Sequence, residues 1–397
     1  MKTIYYIAGL LLLFSCEEKT LDPITPSEGK PQVVTAVEVE NIAGGAIISY
    51  QIPENKDILA VKAVYTTTNG KKREADASFY DNQLLIEGYN DENEHEVLLY
   101  SINRAQEYSD AVSVKIQPLE SALIKTARSV SIVPNFGGAT ISWENEERAP
   151  LTFELLSQDK KGDMQTVRVL SSNLITYDYT FRGYEPVPQK FAVIISDNFG
   201  NESQPIYPPG DQLTPLVERK LDKLIQKVLI LDGDVTFSNW TGRNEYIIDD
   251  NLDTYGHSYT GTMSTGASFT LDLGERVKLS RFINYQRGDD GRWFKAGNAK
   301  TMEVYIYLGD ETQPPVGNWT QWEKIMDCAV IKPSGLGTTV TDEDIIAAQN
   351  GHEFAFSMVL SPQRYLRFKC LSVWGNWPGD ASNYWHPQEI TTYGGDE

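Results

Sequence analysis

Apolar and polar residues alternate with a period of two along most of this chain, in short runs separated by turn residues, which predicts strands rather than helices. Phe269, Leu271 and Leu273 alternate with Ser268, Thr270 and Asp272. Val304, Ile306 and Leu308 alternate with Glu303, Tyr305 and Tyr307, and Leu366, Phe368 and Cys370 with Arg367 and Lys369. Each set reads as a strand with one face in a core, and Gly274-Glu275 is expected to close the first with a turn. Nearer the N-terminus a pattern occurs twice. Val37-x-Val39 followed by Gly44-Gly45-Ala46-Ile47-Ile48-Ser49-Tyr50 returns as Val130-x-Ile132 and Gly137-Gly138-Ala139-Thr140-Ile141-Ser142-Trp143. Further alternations follow in both copies, Leu59, Val61, Ala63 and Tyr65 in one, Leu151, Phe153 and Leu155 in the other. A repeat of about 90 residues made of short strands predicts two tandem seven-stranded sandwiches. Tyr50 and Trp143 share an equivalent strand position, so both are expected in cores.

The ends of the chain read differently. Met1-Lys2 precedes an apolar run from Ile4 to Phe14, too short for a span of about 20 residues but suited to a cleaved leader. Leu13-Phe14-Ser15-Cys16 resembles a lipobox, which implies that Cys16 becomes the first residue and carries acyl chains. Glu17-Glu18-Lys19 resembles the acidic tag that sends such lipoproteins to the outer face of the outer membrane. The chain thus divides into a leader (1–16), a tether (17–30), two sandwiches (31–118 and 119–212), a linker (213–228) and a last domain (229–397). For the linker, a short helix begun at Thr214-Pro215 and an extended segment are both open.

The last domain is similar to the discoidin, or F5/8 type C, family of galactose-binding-like jelly-roll sandwiches. The matching residues are Asp249-Asp250-Asn251-Leu252-Asp253-Thr254, Asp272-Leu273-Gly274, Arg364-Tyr365-Leu366-Arg367 and Glu389-Ile390-Thr391-Thr392-Tyr393-Gly394. Asp250 stands where the family pattern has glycine. Lys332-Pro333-Ser334-Gly335, followed by TDEDIIAAQNGHEFAF, resembles the C-terminal domain of Sus-type surface lipoproteins of polysaccharide-utilisation systems. The two repeats resemble the fibronectin type III class. The expected fold is all-β: two Ig/fibronectin-III-like sandwiches, then a discoidin-like jelly roll.

Chemistry narrows the function further. The formal net charge is −20, from 35 Lys and Arg against 55 Asp and Glu, so a phosphate backbone would be repelled and nucleic acid is not an expected partner. No nucleophile elbow, zincin helix, phosphate loop or nucleotide fingerprint occurs; His352-Glu353 lacks the second histidine four residues on. Seven of the 8 tryptophans fall in the last domain, several beside polar planar groups, as in Asn239-Trp240, Arg292-Trp293 and Asn376-Trp377. Sugar rings stack a C–H face on such planes while their hydroxyls take donors and acceptors around them. In the discoidin family, loops at one end of the sandwich hold ligand. That resemblance implies glycan contacts from Tyr255, His257 and Tyr259 after the first turn, Arg287 and Trp293 in the next loop, and Trp374, Asn376, Trp377, Tyr384 and Trp385 in the loop before the last strand. Trp322 is expected in the core.

The same resemblance implies one structural Ca²⁺ on Asp249, Asp253, Thr254 and Glu389, oxygen ligands suited to a hard cation. Cys328 and Cys370 form either a disulfide or a buried free thiol pair. The resulting expectation is a non-enzymatic surface lipoprotein that binds polysaccharide or oligosaccharide, anchored in the outer membrane by lipid and serving the transporter and binding proteins of one uptake system. An adhesion module for a host protein or glycoprotein is the alternative. A glycoside hydrolase is a third reading, requiring two carboxyl groups about 5–10 Å apart.

Overall fold

The computed structural model describes residues 29–54, 57–264, 266–379 and 383–395. The leader, Cys16 and most of the tether lie outside them.

The first repeat folds as a three-stranded sheet (Thr35–Ile42, Gly45–Gln51, Gln83–Glu87) facing a four-stranded one (Lys72–Ser78, Ile58–Thr66, His95–Asn103, Val112–Ile116). The second repeats this with three strands in each sheet (Thr176–Thr180, Gly138–Glu144, Ser131–Asn135; Met164–Ser172, Leu151–Gln158, Phe191–Ser196). Its seventh position is held by an isolated bridge between Val193 and Ile206. The repeated Gly-Gly has one cause in both copies. Gly44 and Gly137 turn at φ 67° and 64°, which favours glycine. A Cβ on Gly45 would stand 1.9 Å from the Ile86 carbonyl oxygen, and one on Gly138 2.1 Å from that of Phe181. Tyr50 and Trp143 are buried, as expected, and Trp143 stacks on Phe153 and Tyr177 with centroids 3.9 and 5.2 Å away.

A short helix, Ala122–Ser129, starts the second sandwich, capped by Ser121 Oγ accepting from the Ile124 N–H at 3.1 Å. Polar contacts close the junction behind it: the Asn201 side-chain amide donates to the Gly88 carbonyl at 3.2 Å and that of Asn69 to Phe199 at 2.9 Å.

The last domain is organised by one strand of 19 residues, Ala267–Tyr285. Its first part pairs with Lys227–Leu229 and Gln363–Gly375, and its second with Glu389–Gly395 and His352–Ala355. The turn expected at Gly274-Glu275 is instead a bend within this strand. Gly274 sits at φ 78° with Ile225 closing over it, and the strand passes from one sheet to the other. Ala296–Tyr307 and Trp322–Ala329 complete the first sheet. The expected alternation ends at Tyr307, and Leu308 is exposed.

The segment 213–228 is extended, not helical. Arg219–Lys220 pairs with Tyr393 and Gly394, and Leu221 is buried in the last core. Four charged groups bind this segment to both neighbours. Glu218 pairs with Arg281 at 3.0 Å and Arg182 at 3.3 Å, and Glu353 with Arg182 at 2.8 Å and Arg281 at 3.1 Å.

Trp322 is in the core, as expected. Arg367, on the polar side of its strand pattern, is buried too: its guanidinium pairs with Asp234 at 2.6 Å and lies 3.8 Å from the Trp319 ring centre. Cys328 and Cys370 are buried free thiols. They sit on strands separated by Ala296–Tyr307, both in register with Met302, so the strand between them excludes a bridge.

Candidate ligand site at the loop end of the last domain

Three loops meet at one end of this sandwich: the turn 249–259, the loop 286–296 and the loop before the last strand, described over 374–379 and 383–388. Backbone bonds join them, Gly256 N–H to Pro387 O at 2.8 Å and His386 N–H to Gly297 O at 3.0 Å. Of the ten non-glycine residues at positive φ among the described residues, six lie in or beside these loops: Trp240, Asp250, Asp290, Phe294, Ala296 and Asn376. Backbone held in this way is a feature of ligand-bearing loops. Asp250 resolves its departure from the family pattern by taking φ 61°, the conformation a glycine would take there.

Between the loops opens a cavity of about 340 Å³. The turn contributes Leu252, Asp253 and Tyr255; the strand end and second loop contribute Tyr285, Gln286, Asp289 and Trp293; helix Asp342–Asn350 contributes Gln349. Trp293 lies against Gly288, where a Cβ would meet the indole at 1.9 Å, so that glycine sets the plane of the ring. Arg287 is buried and occupied. Its guanidinium binds both oxygens of Asp289, at 2.5 and 2.7 Å, and lies 3.5 Å from the centre of the Tyr255 ring. Burial opposes ionisation of Asp289, but the hydrogen bonds and charge of Arg287, with the charge of Arg292, hold its carboxyl below the usual carboxylate range. Beneath the cavity, Gln286 accepts from the Phe294 N–H at 2.7 Å and meets His352 at 2.9 Å.

The expected contact residues separate into groups. Tyr255 and Trp293 line the cavity and Arg287 braces it. His257 is buried and stacks on buried Tyr384 at 4.4 Å, supporting the wall behind Tyr255. Trp374 packs edge-on against Phe294 at 5.2 Å, while Arg292 covers a face of Trp377 at 4.4 Å, with exposed Asn376 between them. Tyr259 is exposed away from the cavity lining. Trp385 is a correction: it is 0% exposed, packed against Phe237 and Phe269, and belongs to the core. A residue inside that cluster has no face for a ligand.

Sequence reasoning missed Tyr285, Gln286, Asp289 and Gln349. The first two end the LSRFINYQ strand and the last lies in the TDEDIIAAQN segment, whose family match carried no residue role. Trp240 was also passed over. It is 83% exposed beside His257, and its neighbour Thr241 meets the Tyr255 hydroxyl at 2.8 Å.

Of the four residues implied for calcium, Asp249 and Thr254 touch one another. Asp249 accepts from the Thr254 hydroxyl at 2.9 Å and the Asn251 N–H at 3.1 Å. Asp253 lies on the cavity wall. Glu389 accepts from the Asp250 N–H at 3.1 Å and from the Lys223 ammonium. Among the described residues no three His, Cys, Asp or Glu side chains are grouped to hold a metal.

Comparison with known proteins adds the following. Residues 31–118, 119–224 and 245–394 match three family models, each described as a domain of unknown function (DUF4959, DUF5126 and DUF5000). The chain is similar to the solved structure of a SusE-like protein, with 30% identity over 69% of this chain and 99% of the other, at a TM-score of 0.43. It is also similar to the F5/8 type C domain of a Bacteroides fragilis protein (14% identity, 45% of this chain, 98% of that one, TM-score 0.30). A two-domain fibronectin type III segment of chicken tenascin matches at 16% identity over 46% of this chain and 99% of that one, with a TM-score of 0.23. No curated protein matches the chain. The all-β class expected from the alternation is the one the sheets display.

Proposed function

We infer that the chain belongs to the SusE-like proteins and that its last domain binds glycan, the cavity between the three loops being the place where a sugar ring is held. The observation that carries this is the cavity itself: aromatic side chains of Tyr255, Tyr285 and Trp293 around a space of about 340 Å³, which admits a sugar ring, with Asp253, Asp289 and Gln349 in its lining. Stacking supplies affinity and the polar edge orients hydroxyls. The similarity at 30% identity over nearly the whole of a SusE-like protein supports the same reading.

Charge selects within this class. The guanidinium groups of Arg287 and Arg292 are both bound to Asp289, so neither is left to pair with an anionic sugar. Neutral glycans are therefore favoured over uronate or sulfated chains.

Hydrolysis needs a proton-bearing acid opposite a second carboxylate. Asp289 is held ionised by Arg287 and Arg292, which suits binding and not acid catalysis. The role is capture: several weak contacts keep a polysaccharide near the cell surface, where it feeds the enzymes and transporter of one uptake system. Cys16 would carry the lipid, the tether would clear the membrane, and the two sandwiches would set the height of the site on the outer face of the outer membrane.

The test is affinity electrophoresis of the soluble chain that starts after Cys16, residues 17–397, through gels containing neutral and acidic polysaccharides, beside Trp293→Ala. Retardation by a neutral glycan, lost in the variant, is the expected result. Equal mobility of both proteins in every retarding gel would move the site elsewhere.

A further inference from the structure

We infer that the Lys223 ammonium is a built-in cation at Glu389, one of the four residues the discoidin resemblance assigns to calcium, and that it makes the ligand loops independent of metal. Lys223 Nζ donates to Glu389 Oε1 and to the backbone carbonyl of Ile390, and lies 3.9 Å from Asp250 Oδ1. Two carboxylates and a peptide carbonyl around one point form the donor set of a hard cation. Here an ammonium with three N–H groups occupies it.

Three features distinguish this arrangement from a surface ion pair. The side chains of Lys223 and Glu389 are 9% and 2% exposed, so neither charge has water in place of its partner. The other oxygen of Glu389 accepts from the Asp250 N–H at 3.1 Å, which ties the C-terminal strand to the turn that opens the ligand loops. Charge also closes locally: Lys220 binds Asp250 at 2.6 Å, so two cations face two anions. A divalent ion added beside them would meet an ammonium that cannot diffuse away. Because Lys223 lies in the segment leading from the middle sandwich, the clamp also fixes that segment to the turn at Asp250.

Thermal unfolding of the same soluble chain, in chelator and in millimolar calcium, tests this apart from any glycan. The wild-type melting temperature is expected to be the same in both. Lys223→Ala is expected to lower it by on the order of 10 °C in chelator, since it leaves a buried carboxylate unpaired, and calcium should restore part of that loss. A double variant, Lys223→Met with Glu389→Gln, removes both charges; it should recover stability relative to Lys223→Ala and ignore calcium. Calcium-dependent melting of the wild type would overturn the inference. So would Lys223→Ala melting that calcium leaves unchanged, which would reduce the contact to an ordinary ion pair.

Discussion

The middle sandwich and the loop end of the last domain use the same aromatic chemistry to opposite ends. In the middle sandwich Trp143 is covered by Phe153 at 3.9 Å and Tyr177 at 5.2 Å, and its rings close on one another inside a core. At the loop end Arg287 covers Tyr255, Gly288 supports Trp293, and both rings still line an open cavity. Density of tryptophan therefore does not mark the site. What marks it is an aromatic ring held rigidly from behind and left uncovered in front, which strand alternation cannot produce and a strained loop can.

The sharpest way to break this contrast is to remove one ring from each kind of place. Trp143→Ala and Trp385→Ala both empty a core and are expected to cost about 3–5 kcal/mol of stability, read by chemical denaturation. Trp143→Ala should leave glycan affinity as it was under folding conditions. Loss of binding in that variant while the last domain stays folded would show that the middle sandwich takes part in recognition.

Acid offers a second separation. Burial holds His352 down to about 4, and burial with the charge of Arg287 holds His386 well below its usual value. Between the usual imidazole value of 6.5 and the folded one, the unfolded chain binds a proton that the folded chain does not. Stability of the last domain should thus fall as pH drops through that window and be complete above it, by about 3 kcal/mol for His352 alone. In the first sandwich burial opposes ionisation of Asp91, but hydrogen bonds from Thr68 and from His95, at 2.7 Å, hold its carboxyl below the usual carboxylate range. Tryptophan fluorescence follows the last domain, since Trp143 is the one tryptophan outside it. His352→Gln should flatten the acid response, and a response unchanged in that variant would remove the histidine from the account.

Smaller in energy, and aimed at the site itself, is Trp293→Ala. Losing one stacked face is expected to weaken glycan binding about tenfold, or about 1.4 kcal/mol, with little change in unfolding. Gly288→Ala should weaken it as well, because the new methyl collides with the indole at 1.9 Å. Unaltered binding in Gly288→Ala would mean that the plane of Trp293 is not what the ligand reads.

How much of this was legible in the sequence follows from the range of the forces involved. Alternation is local, so the strands around Phe269, Val304 and Leu366 could be read directly, and the repeated Gly-Gly announced two copies of one turn. Long-range contacts were not readable. Gly274 looked like the end of a strand because a turn and a bend both use a glycine at positive φ; which one forms depends on Ile225, some fifty residues away in the chain. Arg367 looked solvated because its partners, Asp234 and Trp319, come from other segments. Trp385 looked like a site residue by its loop position, and Gln349 like nothing at all until its helix was placed beside the 286–293 loop. The resemblance implied a metal ion at Glu389, whereas the cation that meets Glu389 in the structure is Lys223, from a segment expected to be a linker.

The mildest test asks whether the spacers only carry the site. Arg182 reaches from the middle sandwich to Glu218 and Glu353, and Arg281 of the last domain holds the same two acids. Arg182→Ala leaves both carboxylates with a guanidinium, so its cost in stability should stay under about 1 kcal/mol. Affinity for a short oligosaccharide should not change, because no atom of the cavity moves. The junction itself should loosen, and small-angle scattering of the variant should show a broader distribution of distances than the wild type. If instead oligosaccharide affinity falls while the scattering stays the same, the charged junction acts on the loops and not on the orientation of the domains. The middle sandwich would then be part of the binding unit, and the division between packed rings and open rings would no longer coincide with the division between spacer and site.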